Sequence, residues 1–190
     1  MGQNPGLQDA LYRRLEKRVS GLYKAYGKPV SLVGWSLGGV YARTLAHRIP
    51  ECIRQVVTLA SPFNLSQKTE DLGVSGPIIE IYEKLNPRRE EDELINGEPI
   101  WREAPPVPST SIYSVTDGIA SWKYCIDRVG KHTENLRVMG SHSGMTHNPL
   151  VLYALVERLA QDEGDWKPFA DKWSHRLFYG KSACASEVPD

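Results

Sequence analysis

The stretch Val30-Ser31-Leu32-Val33-Gly34-Trp35-Ser36-Leu37-Gly38 constrains the fold of this chain more than any other part of it. Lys28-Pro29 breaks the pattern ahead of it, and residues 30–33 are β-rich and too short for a helix, so they read as a buried strand. From Leu37 to about Arg48, the residues Gly38, Val40, Tyr41, Leu45 and Ala46 restore helical periodicity, and Ile49-Pro50 ends it. Ser36 therefore stands on a tight strand-to-helix turn. Side chains two positions to either side of such a serine would collide, which accounts for glycine at both 34 and 38. A turn of this kind strains the backbone at Ser36 and exposes Oγ, and it aims the free N–H of Leu37 at the place where an oxyanion would develop. The alternative reading is a glycine-rich turn in which Ser36 only caps the helix.

The neighbouring segments supply the rest of a sheet. Upstream, Leu7, Leu11, Leu15, Val19, Leu22 and Tyr26 recur at helical spacing, and Gly27 stands where a C-cap belongs. Downstream, residues 53–60 form a second candidate buried strand closed by Ser61-Pro62, and strand character returns at 110–115 and 135–139. Asn148-Pro149 then opens a helix as N-cap and N1 proline, with Leu150, Val151, Ala154, Leu155 and Leu159 on its apolar face. This alternation predicts an α/β fold with a mostly parallel sheet and flanking helices, one domain over residues 1–190. Between residues 63 and 108 the order lapses into an apolar patch (Ile78, Ile79, Ile81, Tyr82, Leu85), a charge run and a proline cluster. That segment reads either as a cap or lid over the carboxyl ends of the strands or as an insertion packed on the body. A tail at 164–190, carrying Trp166, Phe169, Trp173 and Leu177, is expected to dock on the body.

Charge and cysteine usage narrow the function classes. Lysine plus arginine equals aspartate plus glutamate at 23 each, so no global field favours nucleic acid or an anionic membrane. A small or neutral substrate fits better. Cys52, Cys125 and Cys184 form no C-x-x-C pair, which argues against a disulfide framework and a zinc site and for reduced, cytoplasmic thiols. Met1-Gly2-Gln3-Asn4-Pro5 lacks the zones of a signal peptide, and no apolar run reaches membrane-spanning length.

A serine hydroxyl is a poor nucleophile near neutral pH. It needs a histidine to take its proton and a carboxylate to hold that histidine's tautomer, in the chain order serine, acid, histidine for this kind of turn. Of the five histidines, His47 lies near a helix end, His132 in a charged loop and His175 in the tail, leaving His142 and His147 after the last strand. His142, three residues past Met139 in Gly140-Ser141-His142-Ser143-Gly144, is better placed to hold a ring over the sheet edge. For the acid, Asp117 follows the 110–115 strand directly and precedes Gly118; its alternative role is a turn aspartate bonded to its own backbone. Asp127 is the second candidate, although its surroundings read as a solvated helix face.

With these residues in view, the chain resembles the bacterial triacylglycerol-lipase-like esterases of the α/β-hydrolase superfamily. The resemblance runs through residues 29–39, Thr58-Leu59-Ala60-Ser61-Pro62-Phe63, residues 111–119, the 140–144 loop and Asn148-Pro149. It implies a Ser36-Asp117-His142 triad that hydrolyses carboxylic esters of small or lipid-like molecules through an acyl-enzyme, with no metal or organic cofactor. Members of that family carry further strands ahead of the first helix, with a loop that supplies a second oxyanion N–H, and none precedes Met1. A truncated start is therefore expected, with an exposed edge on the 30–33 strand. Losing one oxyanion donor would cost on the order of 3 to 4 kcal/mol of transition-state stabilisation. An acyltransferase using the same three residues, or an inactive fragment that only binds, are the alternatives the resemblance leaves open.

Overall fold

In the computed structural model, residues 9–64, 100–128, 130–169, 175, 178 and 179 are described. Among these residues, seven α-helices and β-strands are found: α1 (Asp9–Tyr26), β1 (Val30–Trp35), α2 (Leu37–Arg48), β2 (Ile53–Leu59), β3 (Ser109–Ser114), β4 (Thr133–Val138) and α3 (Pro149–Ala160). The strands pair in the order β1-β2-β3-β4, and every pairing is parallel. Parallel pairing follows from the helix or long crossover between successive strands, which returns the chain to the same end each time. The expected lid over residues 63–108 falls mostly outside the described residues. No helix among the described residues is long and apolar enough to cross a membrane.

Helices cover both faces of the sheet. On one face, Val19 of α1 and Ala42, Leu45 and Ala46 of α2 bury against Ile53 and Val56, with Leu15, Tyr23 and Leu32 packed alongside. On the other, Val151 and Ala154 of α3 bury against Val57, Leu59, Ile112, Leu136 and Val138, with Phe169 and Tyr179 beyond them. Local signals set the helix ends. Gly27 adopts φ 66°, the left-handed conformation that costs a residue without Cβ least, and its N–H bonds Tyr23 O at 2.8 Å. Asn148 accepts from the N–H of Leu150 at 2.9 Å and Pro149 follows at N1, the cap expected at that dipeptide.

Several expectations need correction. The 30–33 strand extends to Trp35 and is not buried, in line with the exposed edge expected on it: it pairs only with β2 among the described residues, and Val33 and Trp35 are 44% and 41% exposed. An apolar β run reads as a central strand only when a neighbour lies on each side. Tyr26 is exposed and Tyr12, absent from the expected stripe, is the most buried residue of α1. Leu159 is likewise exposed, whereas Arg158 of the same helix is buried. β4 begins two residues earlier than expected, because Glu134 is a buried acid. Its Oε1 accepts from Arg158 Nη1 at 2.8 Å and Thr110 Oγ1 at 2.9 Å, and its Oε2 from the Phe169 N–H at 2.7 Å. Burial still raises its pKa, with Arg158 opposing the shift.

Asp127 is also buried, at 3% exposure, so the solvated helix face expected there does not exist. Its Oδ2 accepts from Arg43 Nη1 at 2.6 Å. Arg43, on α2, is itself fully buried. It donates to the carbonyls of Trp101 (2.6 Å) and Glu103 (2.7 Å), and its guanidinium carbon lies 3.8 Å from the centre of the Phe63 ring. Burial depresses the arginine's pKa while Asp127 opposes that shift. One side chain thus ties α2 to the segments on either side of β3.

Candidate active site

Because the four strands are parallel, the segments that follow β1, β3 and β4 all leave from one end of the sheet. β1 and β4 are separated by three strand spacings, roughly 14 Å, so a residue after β4 must reach back across the sheet to meet one after β1. The loop between Val138 and Pro149 does this. Its start is held by hydrogen bonds of Ser114 Oγ to Gly140 O (2.7 Å) and from Gly140 N (3.1 Å), and by Asn148 Nδ2 to Met139 O at 2.8 Å.

The serine turn has the strain its sequence predicts. Ser36 sits at φ 53°, ψ −127°, outside the conformations an L-residue adopts freely, and makes no side-chain cap bond to α2. The capping alternative is therefore not realised. The turn is held by Ser36 N to Leu59 O at 2.9 Å and by Gly39 N to Ser36 O at 3.0 Å. A Cβ on Gly34 would lie 2.3 Å from Gly38 O, which the backbone cannot yield. Gly38 differs from the expectation, since a Cβ there would meet nothing within 4 Å. The second steric demand falls on Gly39, whose Cβ would lie 2.1 Å from Ser61 Oγ and 3.1 Å from Thr58 Cβ. Gly38→Ala should therefore stabilise the fold by about 0.5 to 1 kcal/mol, the usual gain from removing a helical glycine. Gly39→Ala should destabilise it by about 1 to 3 kcal/mol through overpacking. Urea denaturation of the two variants reads the opposite signs, and equal effects would contradict this division.

Ser36 Oγ lies 3.0 Å from His142 Nε2, and His142 Nδ1 lies 2.7 Å from Asp117 Oδ2. The imidazole and the carboxyl are buried, at 7% and 1% side-chain exposure, so bulk water competes little for either bond. Asp117 fills both roles open to it. Its Oδ1 accepts from the N–H groups of Ile119 (2.8 Å) and Ala120 (2.9 Å), the turn use, which leaves Oδ2 free for the histidine. Of the residues considered from sequence, the structure brings together Ser36, Asp117 and His142. His147 lies apart with its Nδ1 at Thr146 Oγ1, Asp127 pairs with Arg43, and buried His175 bonds Phe169 O. Leu37, the expected oxyanion donor, opens α2 immediately after the serine.

Two contacts of the site were not legible in the sequence. Trp35 donates its indole N–H to the backbone O of His142 at 3.1 Å. Beneath Asp117, Cys125 is buried among Tyr113, Ala120 and Ile126; burial first, and the charge of Asp117 second, push its thiol pKa well up and keep it protonated. A cavity of about 390 Å³ lies at the other end of the sheet, among Pro29, Ile53, Pro108, His132 and Trp166, the segments that lead into or lie below the strands. It does not open on the serine. Among the described residues, no cluster of three or more His, Cys, Asp or Glu side chains could hold a metal ion.

No family model matches the chain. It is similar to the GPI inositol-deacylase of Eremothecium gossypii, 39% identical over 75 residues, which cover 36% of this chain and 7% of that protein. The corresponding protein of Kluyveromyces lactis is 36% identical over 74 residues, 35% of this chain and again 7% of that protein. The match thus spans only a small part of those relatives. Among solved structures, a lipase-esterase related protein from Clostridium acetobutylicum aligns with a TM-score of 0.54 at 14% identity, covering 83% of this chain and 77% of that one. A thermophilic esterase aligns at 0.51 and 19% identity, over 80% and 74% of the two chains. The monoacylglycerol lipase of Paleococcus ferrophilus aligns at 0.50 and 16% identity, over 77% and 74%. The parallel four-stranded sheet, helices on both faces and a strained serine turn after β1 give this chain an α/β-hydrolase fold.

Proposed function

We propose that this chain is a serine hydrolase that cleaves carboxylic esters through an acyl-enzyme on Ser36. The observation that carries the reading is the hydrogen-bonded line Ser36 Oγ, His142 Nε2, His142 Nδ1, Asp117 Oδ2, with links of 3.0 and 2.7 Å. In this reading Oγ attacks the ester carbonyl while Nε2 takes its proton, and the negative oxygen that forms is met by the N–H of Leu37. Nε2 then returns the proton to the leaving alcohol. A water molecule, deprotonated by the same nitrogen, releases the acid and restores the serine. Asp117 stays ionised, keeps the Nδ1–H tautomer and stabilises the imidazolium in both steps.

The name of the curated relatives, a deacylase, is in keeping with removal of an acyl group, and the exposed indole of Trp35 beside the serine offers an apolar surface to an acyl or alcohol chain. The substrate class in this reading is a small or lipid-like ester. A fluorophosphonate probe tests it, because phosphonylation of Oγ with loss of fluoride needs the activated serine. The chain should be labelled once, at Ser36 by peptide mass spectrometry, and Ser36→Ala should not be labelled. Equal labelling of the two proteins, or none in a folded sample, overturns the reading.

A further inference from the structure

Building on the proposed ester hydrolysis, we propose that Trp35 is a positioning residue that holds His142 in register with Ser36. Trp35 and Ser36 are adjacent on the turn, and each makes one hydrogen bond to His142. Ser36 Oγ meets the ring at Nε2 over 3.0 Å, and the Trp35 indole N–H meets the backbone carbonyl over 3.1 Å. The two rings also pack, with centroids 5.4 Å apart and planes tilted by 41°.

The other fastenings of this loop come from elements other than β1: Met145, buried in the core with Leu59, Val138 and Val151, donates its N–H to the same His142 carbonyl at 3.3 Å. Ser114 and Thr116 hold Gly140, Asn148 holds Met139, and Asp117 holds Nδ1. None of them ties His142 to β1 directly. The Oγ–Nε2 bond cannot be the fastener either, because its proton moves in every turnover. The indole bond is fixed throughout the cycle and comes from the residue next to the nucleophile. It therefore sets the approach of Nε2 to Oγ most directly. Packing alone does not account for Trp35, since the side chain is 41% exposed on β1, which pairs with β2 alone among the described residues.

The test replaces Trp35 with benzothienylalanine, incorporated at that codon alone, which keeps the fused ring and exchanges N–H for sulfur; Trp35→Phe is the companion variant. Four quantities are read: kcat and KM for a short p-nitrophenyl ester, the rate of fluorophosphonate labelling, deuterium uptake by residues 139–148, and the thermal midpoint. A lost fastener displaces Nε2 by a fraction of an ångström to about 1 Å, so in the benzothienylalanine protein, which keeps the apolar ring face, kcat and labelling should fall about tenfold to a hundredfold with KM little changed. Deuterium uptake in 139–148 should rise in both variants, with the thermal midpoint of the benzothienylalanine protein unchanged. A rise in KM at constant kcat would make Trp35 a pocket wall only, and a lowered midpoint with unchanged kcat would make it a packing residue only; either overturns the proposal. If the unmodified chain labels no better than Ser36→Ala, the esterase reading fails. Deuterium uptake then still decides whether Trp35 holds the loop, and unchanged uptake overturns that as well.

Discussion

Asp117→Asn should leave the chain folded and lower kcat for ester hydrolysis about ten-thousandfold, the loss expected when the histidine is held in the wrong tautomer. The geometry explains why so small a change acts so strongly. Oδ1 of Asp117 is occupied by the N–H groups of Ile119 and Ala120, and both need an acceptor. An asparagine would therefore keep its carbonyl oxygen there and turn its NH2 toward His142, where Oδ2 now lies 2.7 Å from Nδ1. Nδ1 would have to accept, so the ring proton would sit on Nε2, facing Ser36 Oγ. An imidazole protonated on that side cannot take the serine proton. Steady-state kinetics and urea denaturation on the same samples separate the two outcomes. A ten-thousandfold loss at unchanged stability fits the proposed role, whereas a loss of less than about tenfold would remove Asp117 from it.

Arg43→Met should cost about 3 to 5 kcal/mol of stability, the range seen when one partner of a buried ion pair is removed. That is a large share of the roughly 5 to 15 kcal/mol that holds a domain together. The variant leaves the Asp127 carboxylate buried without its cation, and it strips donors from the carbonyls of Trp101 and Glu103. Phe63 also loses the guanidinium stacked on its face. Adding Asp127→Asn should recover part of the loss, because a neutral amide costs less to bury than an unpaired carboxylate. Urea melts of the single and double variants measure both effects. If the single variant changes stability by less than about 1 kcal/mol, the site is wetter than its geometry implies.

Much of the architecture was legible before any coordinates. Helix boundaries at Gly27 and at Asn148-Pro149 rest on interactions within a few residues, and the parallel sheet followed from the alternation of strands with helices or long crossovers. Ser36, Asp117 and His142 could be singled out by their places after β1, β3 and β4, and the structure brings all three within hydrogen-bond distance. Other features resisted the same reading. Asp127 looks solvated until Arg43, 84 residues away in sequence, is seen against it. Glu134 argues against a strand until Arg158 neutralises it from α3. The glycine spacing of the serine turn points to Gly38, whereas Ser61 on the neighbouring strand's loop makes Gly39 the tight position.

The chain's own sequence determined the order of strands and helices, how sharply the chain turns at Ser36 and the caps at Gly27 and Asn148, because φ preferences, glycine sterics and capping bonds act over a handful of neighbouring residues. Only the tertiary structure decided which charges are buried together, which glycine admits no side chain, and that Trp35 reaches the carbonyl of His142. Those outcomes depend on segments far apart in sequence that the sheet brings within a few ångströms, where burial and hydrogen-bond geometry take their meaning.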